Sequence, residues 1–253
     1  MARIRDRFLG TIFRPSSGRP AVPKATVVHA VGDIHGRSDL LDNVFARIDA
    51  DRALFAGRRL IEVYLGDYVD RGPDSRGVID RLIARAQERE VVLLRGNHDE
   101  VFEELLTNRA RLEFWVQFGG LETMQSYGVR LRLPVTAANV LEMHAEWVRS
   151  FPSRHRQFFS QLTNCYSVGD YFFVHAGIRP GVPLERQSAE DMMWIREEFH
   201  RSGADHGKMV VHAHTPVKAP EFRKNRINID TGAYLSGSLT CLRLFGTSQD
   251  VVT

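Results

Sequence analysis

From residue 26 onward, apolar and polar positions fall into short blocks of clear period. Residues 26–31 are a β-branched apolar run and read as a buried strand, and residues 38–50 place Leu40, Leu41, Val44, Phe45 and Ile48 at helical spacing. A second apolar run at 60–65, an amphipathic helix over 75–88 and a third strand over 91–94 continue the pattern. Strands alternating with helices predict βαβ units whose consecutive strands are parallel. Each of these strands runs into a polar turn that contains glycine.

The middle of the chain, about 100–162, is helical in pattern, with helices predicted over 113–127, 137–149 and 154–162. Phe114, Trp115, Phe118, Leu121 and Met124 form an apolar stripe along the first, which predicts core packing. Short β runs follow at 165–168, 171–174, 209–211, 227–229 and 239–245. Gly169-Asp170 separates the first two as a two-residue hairpin turn. The expected class is α/β (α+β), with a second sheet packed on the first and a helical insertion between them in sequence.

Composition narrows this picture. The chain of 253 residues is 43% hydrophobic and 26% charged, ordinary for a globular protein, and no apolar run approaches the roughly 18 residues that span a bilayer. Its net charge of +3 is concentrated at the start, where Arg3, Arg5, Arg7, Arg14, Arg19 and Lys24 face only Asp6. The remainder is near neutral, which gives no basis for a nucleic-acid partner. Residues 1–25 are expected to be a flexible basic tail. Ile4, Phe8, Leu9, Ile12 and Phe13 also allow a short amphipathic helix in weak contact with a membrane surface. Residues 26–253 form the single expected domain. Two cysteines, Cys165 and Cys241, sit in strand-like runs, and with no convincing secretory leader they point to a reducing, cytoplasmic setting.

Five blocks carry possible chemistry: Gly32-Asp33-Ile34-His35-Gly36, Gly66-Asp67-Tyr68-Val69-Asp70-Arg71-Gly72, Arg95-Gly96-Asn97-His98-Asp99, Val174-His175-Ala176-Gly177 and His212-Ala213-His214-Thr215. All follow the end of an apolar strand, so the fold should gather them along one edge. Carboxylates, imidazoles and an amide without thiolates suit divalent manganese, iron or zinc. Asp33 and His35, two residues apart, share a face in extended backbone and could ligate one ion together.

The first three blocks, in this order, resemble the metallophosphoesterases of the phosphoprotein phosphatase family, and the likeness extends over 26–245. The chain is most similar to the bacterial serine/threonine protein phosphatases, a likeness shared by Gly119-Gly120, Ser126-Tyr127-Gly128 and the stretch from Arg226 to Tyr234. The resemblance implies a calcineurin-like fold, with two mixed sheets packed face to face and flanked by helices. It implies two divalent metal ions, manganese first and iron or zinc as alternatives. Asp33 and His35 would hold one, Asn97, His175 and His214 the other, and Asp67 both. Ala213 stands where the family has glycine before the last histidine. This bears on the local backbone, because alanine takes positive φ only at a cost.

Two cations about 3.5–4 Å apart would acidify a bridging water for direct in-line attack on phosphorus, without a covalent intermediate. His98 is the expected general acid, with Asp70 orienting it and keeping it protonated. Arg71 supplies a planar donor pair for phosphate oxygens, and Arg196 resembles the family's second phosphate arginine. The expected substrate is a phosphorylated protein. Alternatives are a symmetrical diadenosine tetraphosphatase, whose members typically carry alanine where Asp70 stands, and a small-molecule phosphoesterase. A non-catalytic binding module would have lost ligands, and here all six are present.

Overall fold

The two expected sheets form, but the chain reaches them by a different path at its C-terminal end. A computed structural model describes residues 18–252. In chain order, β1 (Thr26–Val31), α1 (Ser38–Leu54), β2 (Arg59–Tyr64), α2 (Ser75–Glu88) and β3 (Glu90–Leu93) come first. The insertion contains α3 (Asn97–Leu105), α4 (Leu112–Trp115), α5 (Leu121–Ser126), α6 (Ala137–Ser150) and α7 (Ser153–Ser160). Then follow β4 (Cys165–Val168), β5 (Tyr171–Val174), α8 (Ala189–Trp194), α9 (Glu197–His200), β6 (Met209–His212), β7 (Glu221–Phe222), β8 (Arg226–Asn228), α10 (Ala233–Ser236), β9 (Cys241–Phe245) and β10 (Ser248–Val252).

One sheet has the order β10-β9-β1-β2-β3 and the other β4-β5-β6-β8-β7. The pairs β1·β2 and β2·β3 are parallel, as alternation with helices requires. The β4–β5 hairpin turns through Gly169-Asp170, pairing Val168 with Tyr171. The run at 239–245, expected in the second sheet, joins the first instead: β9 lies antiparallel on β1, with Val28 opposite Leu244 and Ala30 opposite Leu242. The edge of β1 would otherwise be unpaired, and β9 buries two leucines by covering it. β10 and the two-residue β7 have no clear apolar period and add to the strands that the pattern predicts.

Between the sheets, Val28, Ala30, Ile61, Val63, Leu65 and Leu244 meet Tyr171, Phe173, Val211, Ile227 and Ile229. The other face of the first sheet is covered by α1, α2 and the insertion, around Tyr64, Phe102, Trp115 and Trp147. Glu62, buried within β2, is matched by Arg85 at 2.8 Å and by the Tyr64 hydroxyl at 2.7 Å. A buried charge survives here because both carboxylate oxygens have donors.

The described end of the tail is not separate from this body. Ala21 N donates to the Asp170 carboxylate at 3.0 Å, Val22 N donates to Gly246 O at 3.0 Å, and the Val22 side chain is buried. Residues 21–25 therefore bridge turns of the two sheets. The apolar positions Ile4 to Phe13, and with them the membrane-contact expectation, lie outside the described residues. Among the described residues no helix is long and apolar enough to cross a membrane.

Candidate active site

The five blocks meet at the carboxyl ends of β1, β2, β3, β5 and β6, where parallel strands leave their last residues facing a common crevice. Backbone conformation marks the place. His35, Asp67, Asp70, Arg71 and His214 all have positive φ, between 43° and 72°, and among the described non-glycine residues only Ala25 joins them. Such residues each cost on the order of 1–3 kcal/mol and persist where surrounding contacts over-determine them. At 214 it is the histidine, and not the substituted Ala213, that takes the left-handed conformation. Alanine at 213 is therefore unstrained.

The constraints on these turns are visible. Gly66 has φ 106°, and a Cβ there would strike the backbone of Gly96, so two ligand-bearing turns touch directly. The buried Asp99 carboxylate accepts from Gly96 N at 2.9 Å, Asp67 N at 2.8 Å and Tyr68 N at 3.0 Å. Burial and the Asp67 charge push the Asp99 carboxyl up to about 8. His35 N and Ile34 N both donate to Asp67 O, at 2.8 and 3.2 Å.

All six expected ligands are buried and converge around Asp67. One Asp67 oxygen lies 3.4 Å from His35 Nε2 and the other 3.4 Å from His175 Nε2. His175 Nε2 is 3.0 Å from Asn97 Oδ1 and 3.2 Å from His214 Nδ1, while His214 N donates to Asp33 Oδ2 at 3.2 Å. Potential donor atoms form two clusters that share Asp67, one with His35 and His98 and one with His175 and His214. His98 also approaches the first cluster, but its Nδ1 is bonded to the Asp70 carboxylate, whereas His35 Nδ1 is bonded to the Val69 carbonyl and the buried Asp33 Oδ1 has no hydrogen-bond partner. Asp33 and His35 are the better candidate ligands on that ground. His214 Nε2 is likewise buried without a partner.

The charges explain these vacant valences. Burial, Asp230 and Asp67 drive the Asp33 carboxyl well above its usual range. Burial pushes Asp67 up too, but His175, His98, His35 and His214 outweigh it and hold its carboxyl low. Burial drives His35, His175 and His214 down, leaving neutral imidazoles suited to ligation. Crowded carboxylates, neutral imidazoles and unpartnered buried donor atoms fit divalent cations.

Beside the clusters, His98 Nδ1 lies 2.7 Å from Asp70 Oδ2. Burial opposes the imidazolium, yet Asp67 and Asp70 together raise the His98 pKa. Asp70 also accepts from the Trp115 indole at 2.9 Å and from Thr123 Oγ1 at 2.8 Å. The Arg71 guanidinium spans His35 Nε2 and His98 Nε2, each at 2.9 Å, and lies 4.6 Å over the Tyr234 ring. Arg196, held by Thr215 Oγ1 at 3.1 Å, shares with Arg71, Asn97 and His98 a cleft of about 110 Å³, walled by Phe114, Phe118 and Trp194.

Several neighbours escaped the sequence reading. Asp99 had a signal, since an acid in the third position of a helix starting at Asn97 is a capping residue. Trp115 falls in the apolar stripe that predicts core packing, and Thr123 carries no signal in the sequence. The expected single helix over 113–127 is broken by a π-helical turn at Val116–Gly120, with Gly119 at φ 103°. Gly119-Gly120 within a helical pattern was the available sign. The break also turns Phe114 and Phe118 outward, each 45% exposed, instead of into the core. Tyr234 sits edge-on to His35 at 5.3 Å. His212 is buried against Phe199 and His200, and burial with His200 lowers its pKa to about 3, the profile of a core histidine.

Two facing mixed sheets with a carboxylate–imidazole cluster at their strand ends define a metal-dependent hydrolase. The chain belongs to the calcineurin-like phosphoesterases, whose family model matches residues 26–244. It is 29% identical over 211 residues to the asymmetrical bis(5'-nucleosyl)-tetraphosphatase PrpE of Anoxybacillus flavithermus, covering 74% of this chain and 76% of that protein. It is 28% identical over 225 residues to serine/threonine-protein phosphatase 1 of Salmonella typhimurium, covering 86% and 91%. Similar curated proteins of Bacillus velezensis, Bacillus cereus and Bacillus subtilis bear the same tetraphosphatase name. A solved structure described as a candidate diadenosine tetraphosphatase shares the fold, at TM-score 0.61 and 21% identity over 93% of this chain and 98% of that one. A cold-active protein tyrosine phosphatase does too, at TM-score 0.61 and 14% identity over 91% and 81%.

Proposed function

We propose that this phosphoesterase hydrolyses phosphomonoesters of aliphatic alcohols, and that its substrates are phosphoserine and phosphothreonine in proteins. The buried His98–Asp70 pair, 2.7 Å apart, carries the reading. An alkoxide is a strong base and must be protonated as it leaves, whereas the inner phosphate of a polyphosphate departs at neutral pH without a proton. A buried acid held by a buried carboxylate is useful for the first reaction and largely idle in the second.

Divalent ions held by Asp33, His35 and Asp67 and by Asp67, Asn97, His175 and His214 would supply Lewis acidity to an attacking water and to the phosphoryl oxygens. Asp70 fixes hydrogen on His98 Nδ1, so Nε2 is the atom that gives the proton to the leaving oxygen; Arg71, which donates to Nε2 at 2.9 Å here, must turn to the phosphoryl oxygens for Nε2 to carry that proton. Arg71 and Arg196 grip the remaining phosphoryl oxygens from the cleft side. Replacing Arg71 by alanine should raise the inhibition constant for inorganic phosphate by about 10- to 100-fold, the worth of charged hydrogen bonds of about 1.5–3 kcal/mol. An unchanged constant would remove Arg71 from phosphate binding.

A second reading, a dinucleoside tetraphosphatase, draws on the tetraphosphatase relatives and on Phe114 and Phe118, exposed beside the cleft with ring centroids 4.3 Å apart. Such rings offer a nucleobase a stacking surface. One manganese-loaded preparation assayed on phosphoserine peptides and on diadenosine tetraphosphate, with and without chelator, tests both. The expected result is chelator-sensitive phosphate release from the peptides at the greater kcat/KM. Faster cleavage of the dinucleotide would reverse the assignment.

A further inference from the structure

We infer that the broken helix of the insertion is a positioning device for the acid, with Trp115 and Thr123 fixing Asp70 and, through it, His98. The inference rests on His98 being the proton donor. Its basis is the set of bonds converging on one buried carboxylate. The Trp115 indole N–H reaches Asp70 Oδ1 at 2.9 Å and Oδ2 at 3.0 Å, and the Thr123 hydroxyl donates to Oδ1 at 2.8 Å. Asp70 N in turn donates to Thr123 Oγ1 at 2.9 Å, and Ser75 Oγ lies 3.0 Å from the same hydroxyl. Asp70, Ser75, Trp115 and Thr123 are all buried. His98 takes the remaining direction at Oδ2.

A regular helix could not make this arrangement. Residues eight apart on one are roughly 12 Å apart along the axis, so Trp115 and Thr123 could not both bond a single oxygen. The break at Phe118 (φ −107°, ψ 20°) and Gly119 (φ 103°, ψ 11°) folds the second segment back and brings both side chains to Oδ1. The same break binds the loop backbone, since Arg71 N donates to Gly119 O at 3.2 Å. A Cβ at 119 would overlap Arg71 N, and one at 120 would overlap the Trp115 ring. Asp70 and Arg71 both have left-handed backbone, at φ 72° and 69°, and these contacts hold that costly conformation. Without them, the carboxylate could turn away from His98 while the ligand shell of the cations stayed in place.

A loss of positioning differs from general damage in how it depends on the leaving group. Nitrophenolate leaves with little help from an acid, and a serine alkoxide needs it. In Thr123→Val, the ratio of kcat on a phosphoserine peptide to kcat on p-nitrophenyl phosphate should fall at least about tenfold, with KM little changed. Thr123→Ser, which keeps the hydroxyl, should restore the ratio. Trp115→Phe should behave as Thr123→Val does, and if that variant fails to fold, the Thr123 pair decides.

In the metal-free protein, the Trp115 indole proton resonance, assigned by its loss in Trp115→Phe, should move in Asp70→Asn. Equal losses on both substrates in Thr123→Val, alongside a split in His98→Asn, would overturn the positioning role and leave the acid intact. No split in His98→Asn would sink the acid and the positioning role together.

Discussion

Asp67→Asn is expected to lose bound metal from both sites and phosphatase turnover with it, the latter by about a thousandfold or more, since each catalytic cation contributes several kcal/mol. Asp67 is the acid common to the two donor clusters, its oxygens 3.4 Å from His35 Nε2 and His175 Nε2. Asparagine keeps the shape, and its oxygen could still accept from His98 N, which bonds Asp67 Oδ1 at 3.0 Å. It carries no charge, however, and turns an N–H₂ toward one ion. Elemental analysis after dialysis should find both ions depleted. Retention of near-native metal by the variant would mean that Asp67 is not the shared ligand.

The same substitution separates a lost site from a lost fold. Asp67 helps to raise the carboxyls of Asp33 and Asp99, which is to say that these buried acids repel one another. A carboxyl whose folded pKa is raised costs stability once pH exceeds its unfolded value, and Asp99, pushed up to about 8, imposes that cost at neutral pH. Removing the Asp67 charge relieves it. It also forfeits the attraction of His175, His98, His35 and His214 that holds the Asp67 carboxyl low, so the two changes oppose each other. Metal-free Asp67→Asn should therefore melt close to the metal-free parent, whereas a collapsed melting transition would mean that the fold and not the site had been lost.

How far the sequence could reach depended on whether a residue's role was local. Strand ends and ligand-rich turns are local: β1 spans Thr26–Val31 and α2 Ser75–Glu88 as the periodicity predicts, and the five blocks meet where their strands end. The partner of a strand is not local: the apolar pattern of 239–245 suits either sheet, and pairing with β1 decides for the first. The insertion failed for a related reason. Helical spacing from Glu113 onward is real, but Gly119 leaves it because its carbonyl bonds Arg71 N, a contact 48 residues away in sequence. Tertiary bonding overrode a good periodic signal, and the residues affected hold the acid pair.

His98→Asn should spare the metal and lower kcat on a phosphoserine peptide by roughly 10²- to 10⁴-fold, with a much smaller loss on nitrophenyl phosphate. Both halves are needed, because His98 falls within 4.8 Å of His35 and Asp67 and could on distance alone be a ligand. Its Nδ1 bond argues otherwise: it goes to the Asp70 carboxylate at 2.7 Å, whereas His35 Nδ1 goes to the Val69 carbonyl at 2.8 Å, and the buried Asp33 Oδ1 is left without a hydrogen-bond partner. If elemental analysis found His98→Asn stripped of one ion, His98 would be a ligand, and the leaving oxygen would need another source for its proton. If metal stayed and the two substrates declined by the same factor, proton donation would not be what His98 contributes. The expected pattern, metal retained and the loss graded by leaving-group basicity, is peculiar to an acid standing beside the ions and not among their ligands.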